Sequence, residues 1–243
     1  MDIWKVSLSL QGDAVNQLEK LLLLEELKKG NRFRFAKDRR RHIITRGAVR
    51  TILAGYLEVP PQDLLFHHGK MGKPHLVYPL WGRNLHFNLS HCEDMTVIAI
   101  ALGRRLGIDV EKERELPELD TILGRYFSKE EQQFVESAGQ EDRIKAFLKV
   151  WTRREATAKA LGLDLSAALS DLEIPAHLPN RGIQLRHFAN IETSSTTWDK
   201  SWHLVDLQLD SVHGGAICVE GPRCAMRYHH FEDCFVGSAW KVG

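Results

Sequence analysis

A repeated order of elements constrains this chain most. Residues 3–10 alternate with a period of two and read as a half-buried strand. Residues 38–57 follow a helical period, with Ile44, Ala48, Ile52, Leu53 and Tyr56 on one stripe, Asp38 as the cap and Pro60-Pro61 as the stop. Strands at 85–89 and 96–102 come next. The same succession then returns as a strand at 106–111, a helix at 142–161 and strands at 203–209 and 215–219, each displaced by a little over a hundred residues. The expectation is an α+β fold of two pseudo-symmetric lobes in one chain, each a small antiparallel sheet packed with a long helix. The first lobe spans 1–104 and the second 105–220, and 221–243 is a tail without a clear period. Two smaller expectations go with this: a single helix over 16–29, and an antiparallel meander of the three consecutive strands between 85 and 110.

Composition narrows the class. A net charge of +1 over 243 residues removes any global polyelectrolyte character. No apolar run approaches the roughly 18 residues of a membrane span, and no basic segment leads into an apolar one at the N-terminus. Four scattered cysteines without a C-x-x-C fit reduced thiols, so the expected compartment is the cytoplasm. The charge is uneven locally. Between Lys28 and Arg50 there are ten Lys or Arg residues against one acid, Asp38, which implies an anionic ligand. Nucleic acid is disfavoured, because no RNA-binding aromatic motif, zinc finger or helix-turn-helix accompanies the cluster. A phosphate-bearing small molecule fits better. Gly69-Lys70-Met71-Gly72-Lys73-Pro74 adds two lysines on a glycine-hinged loop that lacks the Walker spacing.

Two stretches carry acidic chemistry. In Gly107-Ile108-Asp109-Val110-Glu111 the strand alternation places Asp109 and Glu111 on one face, roughly 7 Å apart at the backbone. They repel unless a cation lies between them, and Mg²⁺, which keeps waters and substrate phosphates as further ligands, would resolve the repulsion. In the second helix Trp151, Glu155 and Lys159 recur at i, i+4 and i+8 on one face, where a partly buried Glu155–Lys159 pair would be costly if idle. Ser128 to Glu131 has the form of a capping box, which gives Glu131 a structural use.

Taken together, Gly72-Lys73-Pro74, Asn88-Leu89-Ser90-His91, Gly107-Ile108-Asp109-Val110-Glu111, Phe127-Ser128-Lys129-x-Glu131 and Trp151-Thr152-Arg153-Arg154-Glu155-Ala156-x-x-Lys159-Ala160-x-Gly162 occur in an order and spacing that resembles the 4′-phosphopantetheinyl transferases of the larger, surfactin-synthetase-activating (Sfp) type. The resemblance runs from about Phe33 to Leu165. It implies an active site between the two lobes and transfer of 4′-phosphopantetheine from coenzyme A to a serine of an acyl or peptidyl carrier protein, with 3′,5′-ADP as the other product and Mg²⁺ required. It implies that Asp109, Glu111 and Glu155 hold the metal, and that Lys159 contacts the phosphate. It also implies that Lys73, Ser90 and His91 bind coenzyme A, His91 on the 3′-phosphate. Lys29, Lys37 and Arg41 match basic positions that grip the adenosine phosphates, and Lys70 falls in the same phosphate-binding group. Glu155, directly or through a metal-bound water, is the first choice of base for the serine proton and Glu131 the second. The expected partners are coenzyme A and a carrier protein, with no nucleic acid and no membrane, and the expected state is a monomer. The rival readings are a non-catalytic module binding a carrier protein or nucleic acid, and a metal-dependent pyrophosphate hydrolase.

Overall fold

The computed structural model describes residues 1–69, 72–164, 174–179, 183–185, 201–236 and 239–240. The chain folds into two units. The first comprises Met1–His86, His91–Gly103 and Met226–Gly243, and the second Phe87–Ser90 and Arg104–Ala225. This differs from the sequence-based boundaries. Residues 87–90, Arg104 and 221–225 group with the second unit, and the tail from 226 groups with the first.

In the first unit β1 (Asp2–Ser7) pairs antiparallel with β5 (Met95–Leu102), and the sheet order is β10-β1-β5-β4, with β4 at Leu85–His91 and β10 at Arg227–His230. The tail therefore adds a strand, parallel to β1, with Asp2 opposite Arg227. Helix α3 (Ala36–Leu57) buries Ile43, Ile44, Ala48, Val49, Ile52 and Leu53. It begins two residues before Asp38. Asp38 instead lies in the first turn, where a carboxylate favours the helix dipole. The expected helix over 16–29 is two helices, α1 (Asp13–Glu19) and α2 (Leu24–Gly30). Glu26 explains the break. Its carboxylate reaches back to the Leu23 N–H at 3.0 Å and so starts a new helix there. A hairpin of β2 (Leu65–His68) and β3 (Pro74–Tyr78) completes the unit, β3 being unforeseen because it opens on a proline.

In the second unit the sheet order is β6-β9-β8-β7, all antiparallel, with β6 at Leu106–Lys112, β7 at Ile183–Leu185, β8 at Trp202–Asp206 and β9 at His213–Glu220. The expected meander is thus corrected, because β6 pairs with β9 and not with β5. Helix α6 (Gly139–Leu161) packs on β6 and β9, and Ala156, Ala158 and Ala160 share a core with Trp202, Leu204, Ala216 and Cys218. Its C-terminal cap is Gly162 at φ +75°, a left-handed position that suits glycine. The shorter α4 (Leu119–Tyr126) and α5 (Lys129–Ser137) enclose a second cluster around Phe127, Val135, Phe147 and Leu148. The two units repeat one topology: β1-β5-β4 with α3 inserted after β1 matches β6-β9-β8 with α6 inserted after β6. That is the internal echo read from the sequence. Among the described residues the four cysteines form no disulfide. Among the same residues, no helix is long and apolar enough to cross a membrane.

Candidate active site

The site in the second unit begins with a glycine. Gly107, Asp109 and Glu111 lie on one face of β6, two residues apart. A Cβ on Gly107 would overlap the Ala156 carbonyl oxygen and the Ala160 nitrogen. This face therefore lies directly under α6, and only glycine allows so close an approach. Alanines 156 and 160, one turn apart, leave the space. Glu155 and Lys159 precede them on the helix and are brought to the same patch as Asp109.

The charges there are dense. Asp109 is 3% exposed. Its Oδ1 accepts from Lys159 Nζ at 2.7 Å and from Ser90 Oγ at 2.7 Å. Its Oδ2 is buried without a hydrogen-bond partner. Lys159 Nζ also donates to Ser90 Oγ at 3.1 Å and to the Ile108 carbonyl at 3.3 Å. Burial, and then the Asp109 carboxylate, push Glu155 above the ordinary carboxylate range, against the pull of Lys159. Glu111 is pushed up by burial and then by Asp109, with Glu155 adding to the effect and Arg114 and Lys159 opposing it. Two carboxylates whose proton affinity Asp109 raises, and a buried Asp109 oxygen lacking a donor, are a donor set that fits a divalent oxygen-seeking cation such as Mg²⁺.

Glu131 is a different case. It is 1% exposed, and Arg154 holds it in a bidentate pair at 2.8 and 2.6 Å. Its Oε2 also accepts from the Ser128 N–H at 2.8 Å, closing the capping box of α5. This corrects the expectation of Glu131 as an alternative base, since both oxygens are engaged in anchoring α5 to α6. Arg153, beside Arg154, is equally occupied, holding Asp206 through two bonds of 2.7 Å and donating to the Ala176 carbonyl. Trp151 stacks at an angle on Phe127 and Phe147 and anchors the start of the Glu155–Lys159 stripe.

The basic segment of the first unit is less uniform than its sequence implies. Arg50 is 1% exposed and structural, bonded to Glu26 at 2.7 Å and to the carbonyls of Pro61 and Leu64. Arg39 pairs with Glu19, and Arg41 with Asp38 at 3.5 Å. Lys29 lies in the last turn of α2 and Lys37 in the first turn of α3, both exposed. Partial burial, and then the charges of Arg46 and Lys29, hold both His42 and His68 below the usual histidine range, the Glu26 carbonyl bonded to His42 opposing this. Lys29 and Arg46 therefore form one positive patch, with the imidazoles of His42 and His68 beside it and held toward the neutral form. His42 and Arg46, one turn apart on α3, were legible as helix neighbours, whereas the hairpin residue His68 was not. Lys73 is half-buried just before β3, and His91 is exposed at the end of β4. Lys70 lies outside the described residues.

Comparison with known proteins adds an independent line. The profile of the 4′-phosphopantetheinyl transferase superfamily matches residues 105–218, and that of the N-terminal domain of 4′-phosphopantetheinyl transferases matches residues 10–102. The chain is 32% identical over 229 residues to the 4′-phosphopantetheinyl transferase HetI of Nostoc sp., covering 94% of this chain and 91% of that one. It is 29% identical to the 4′-phosphopantetheinyl transferase psf-1 of Bacillus pumilus, over 87% and 84% of the two chains. It is 27% identical to the L-aminoadipate-semialdehyde dehydrogenase-phosphopantetheinyl transferase of Mus musculus, over 82% and 67%.

Proposed function

From the membership of this chain in the 4′-phosphopantetheinyl transferase superfamily, to which it belongs as an enzyme of the Sfp type, we propose that it transfers the 4′-phosphopantetheine group of coenzyme A to a serine hydroxyl of an acyl or peptidyl carrier protein, releasing 3′,5′-ADP. The observation that carries the reading is the buried, unpartnered Oδ2 of Asp109 beside Glu111 and Glu155. Those three residues would hold Mg²⁺. A cation held there would supply positive charge to stabilise pyrophosphate oxygens that become more negative in the transition state.

The protein's own groups do the rest. Lys159 supplies a second positive charge beside Asp109, placed to stabilise oxygens that gain charge in the transition state. Glu155 is half-buried beside Asp109 and Lys159 and would accept the proton of the incoming serine hydroxyl, directly or through a water on the ion. The nucleophile belongs to the carrier protein, so the enzyme needs no activated serine of its own. Lys29, Lys37, Arg41, Lys73 and His91 hold the phosphates of coenzyme A, with Arg46 adding to the same positive patch.

The test is intact-mass analysis of an apo carrier protein incubated with the enzyme, coenzyme A and Mg²⁺. The carrier gains the mass of one phosphopantetheine group, and 3′,5′-ADP accumulates. Free phosphopantetheine with an unmodified carrier would instead identify a hydrolase. No change in either would mark a binding module.

A further inference from the structure

Strand β6 is the outer strand of its sheet and pairs with β9 along one side. Its backbone groups on the other side must find partners elsewhere, because buried peptide groups left unmatched are costly. Ile108 shows how this is met. Its N–H donates to Asn88 Oδ1 at 2.9 Å, and its carbonyl accepts from Lys159 Nζ at 3.3 Å. Asn88 is 5% exposed and Ser90 8%, and they stand two residues apart on β4, so their side chains leave the strand on the same face. Asn88 meets the backbone one residue before Asp109, and Ser90 meets the carboxylate of Asp109 itself at 2.7 Å.

We propose that Asn88 and Ser90 are positioning residues for Asp109: Asn88 fixes the strand, and Ser90 fixes the rotation of the carboxylate so that Oδ2 stays open. The inference rests on the reading of Asp109 as a metal ligand. The torsion of an aspartate carboxylate about its last bond is soft and roughly two-fold. Two donors on Oδ1, Ser90 and Lys159, remove that freedom. The hydroxyl of Ser90 has a single proton, and Asp109 takes it, while Lys159 occupies an acceptor position. This positioning role of Ser90 stands beside the contact with coenzyme A that the family resemblance implies.

The test uses the full chain with Mn²⁺ as the probe, its free concentration read by electron paramagnetic resonance in the absence of substrates. Ser90→Ala weakens Mn²⁺ binding by about tenfold, the low end for losing a hydrogen-bond partner of a metal ligand. Ser90→Thr keeps the hydroxyl and restores the affinity. Unchanged Mn²⁺ affinity in Ser90→Ala together with a raised KM for coenzyme A would overturn the inference alone. Absence of Mn²⁺ binding by the wild type would overturn the metal reading as well. Asn88 is tested with a pair of variants, since loss of its oxygen endangers the strand. Asn88→Asp keeps an acceptor, so the Ile108 amide stays protected from hydrogen exchange, while the buried charge lowers the melting temperature. Asn88→Leu exposes the Ile108 amide to hydrogen exchange and loses Mn²⁺ affinity in parallel, and wild-type Mn²⁺ binding in Asn88→Leu would remove Asn88 from the proposal.

Discussion

Glu155 separates the demands of stability from those of chemistry. Its proton affinity is raised in the fold by burial and by Asp109. The ionised form is therefore the disfavoured one, and the native state holds its proton to higher pH than the unfolded chain does. In metal-free protein the associated stability is present at low pH and is lost as pH rises through the folded value. Glu155→Gln removes that loss. Its metal-free melting temperature at neutral pH is expected to equal or exceed the wild-type value, while turnover falls at least about 10²-fold, the lower end for a lost general base. Melting curves beside a transfer assay check both halves. Gly107 carries the opposite expectation. Gly107→Ala drives a methyl group into the Ala156 carbonyl and the Ala160 nitrogen, so α6 must shift; overpacking of this kind costs about 1–3 kcal/mol or more. The melting temperature and turnover fall together. The sequence displayed Asp109, Glu111, Glu155 and Lys159 through their periods, because alternation and the helical repeat are local properties. It did not display the reason for Gly107, which depends on a helix arriving some fifty positions later.

At the scale of elements, two clamps hold the framework. The α5–α6 clamp is Glu131 with Arg154, fully buried and bidentate. Glu131→Ala leaves a buried guanidinium without its partner and is expected to cost about 3–5 kcal/mol. The fraction that remains folded, measured by circular dichroism, keeps its turnover; a loss of turnover at full folding would reinstate Glu131 as a base. The second clamp fastens the tail. Burial raises the proton affinity of Asp2, but hydrogen bonds from Arg227, Tyr56 and His229 outweigh it and hold the carboxyl at about 2. A lowered folded value means that the contribution is present above the ordinary aspartate range and is lost as pH falls toward 2. Asp2→Asn therefore lowers the melting temperature at pH 7, and the gap to wild type narrows between pH 4 and pH 2. In the sequence the tail showed no period. β10 has four residues, and its register is set by β1 at the far end of the chain, so no local pattern could announce it. The meander over 85–110 failed for a related reason. Three apolar strands in succession do not reveal that a turn leads to a new sheet.

The whole molecule is a duplicated α+β topology, and it was legible because a repeat is visible without any knowledge of contacts. The strand–helix–strand–strand order returns in both units, and the antiparallel pairings β1-β5-β4 and β6-β9-β8 follow it. What each unit carries differs. The first presents cations, including Lys29 and Arg46, and the second presents Asp109, Glu111 and Glu155 with Lys159. The charges that matched acids inside the basic segment (Arg39, Arg41 and Arg50) could not be told from the others by counting. Glu19 and Glu26, the partners of Arg39 and Arg50, precede the segment's basic run. The open oxygen of Asp109 is the centre of the proposed chemistry. Asp109→Asn replaces a carboxylate by an amide of the same size, and the measurement is intact-mass analysis of an apo carrier protein with coenzyme A across a range of Mg²⁺ concentrations. The expected result is a folded variant that leaves the carrier unmodified at every Mg²⁺ concentration. Near-normal modification at limiting Mg²⁺ would contradict the metal reading of Asp109.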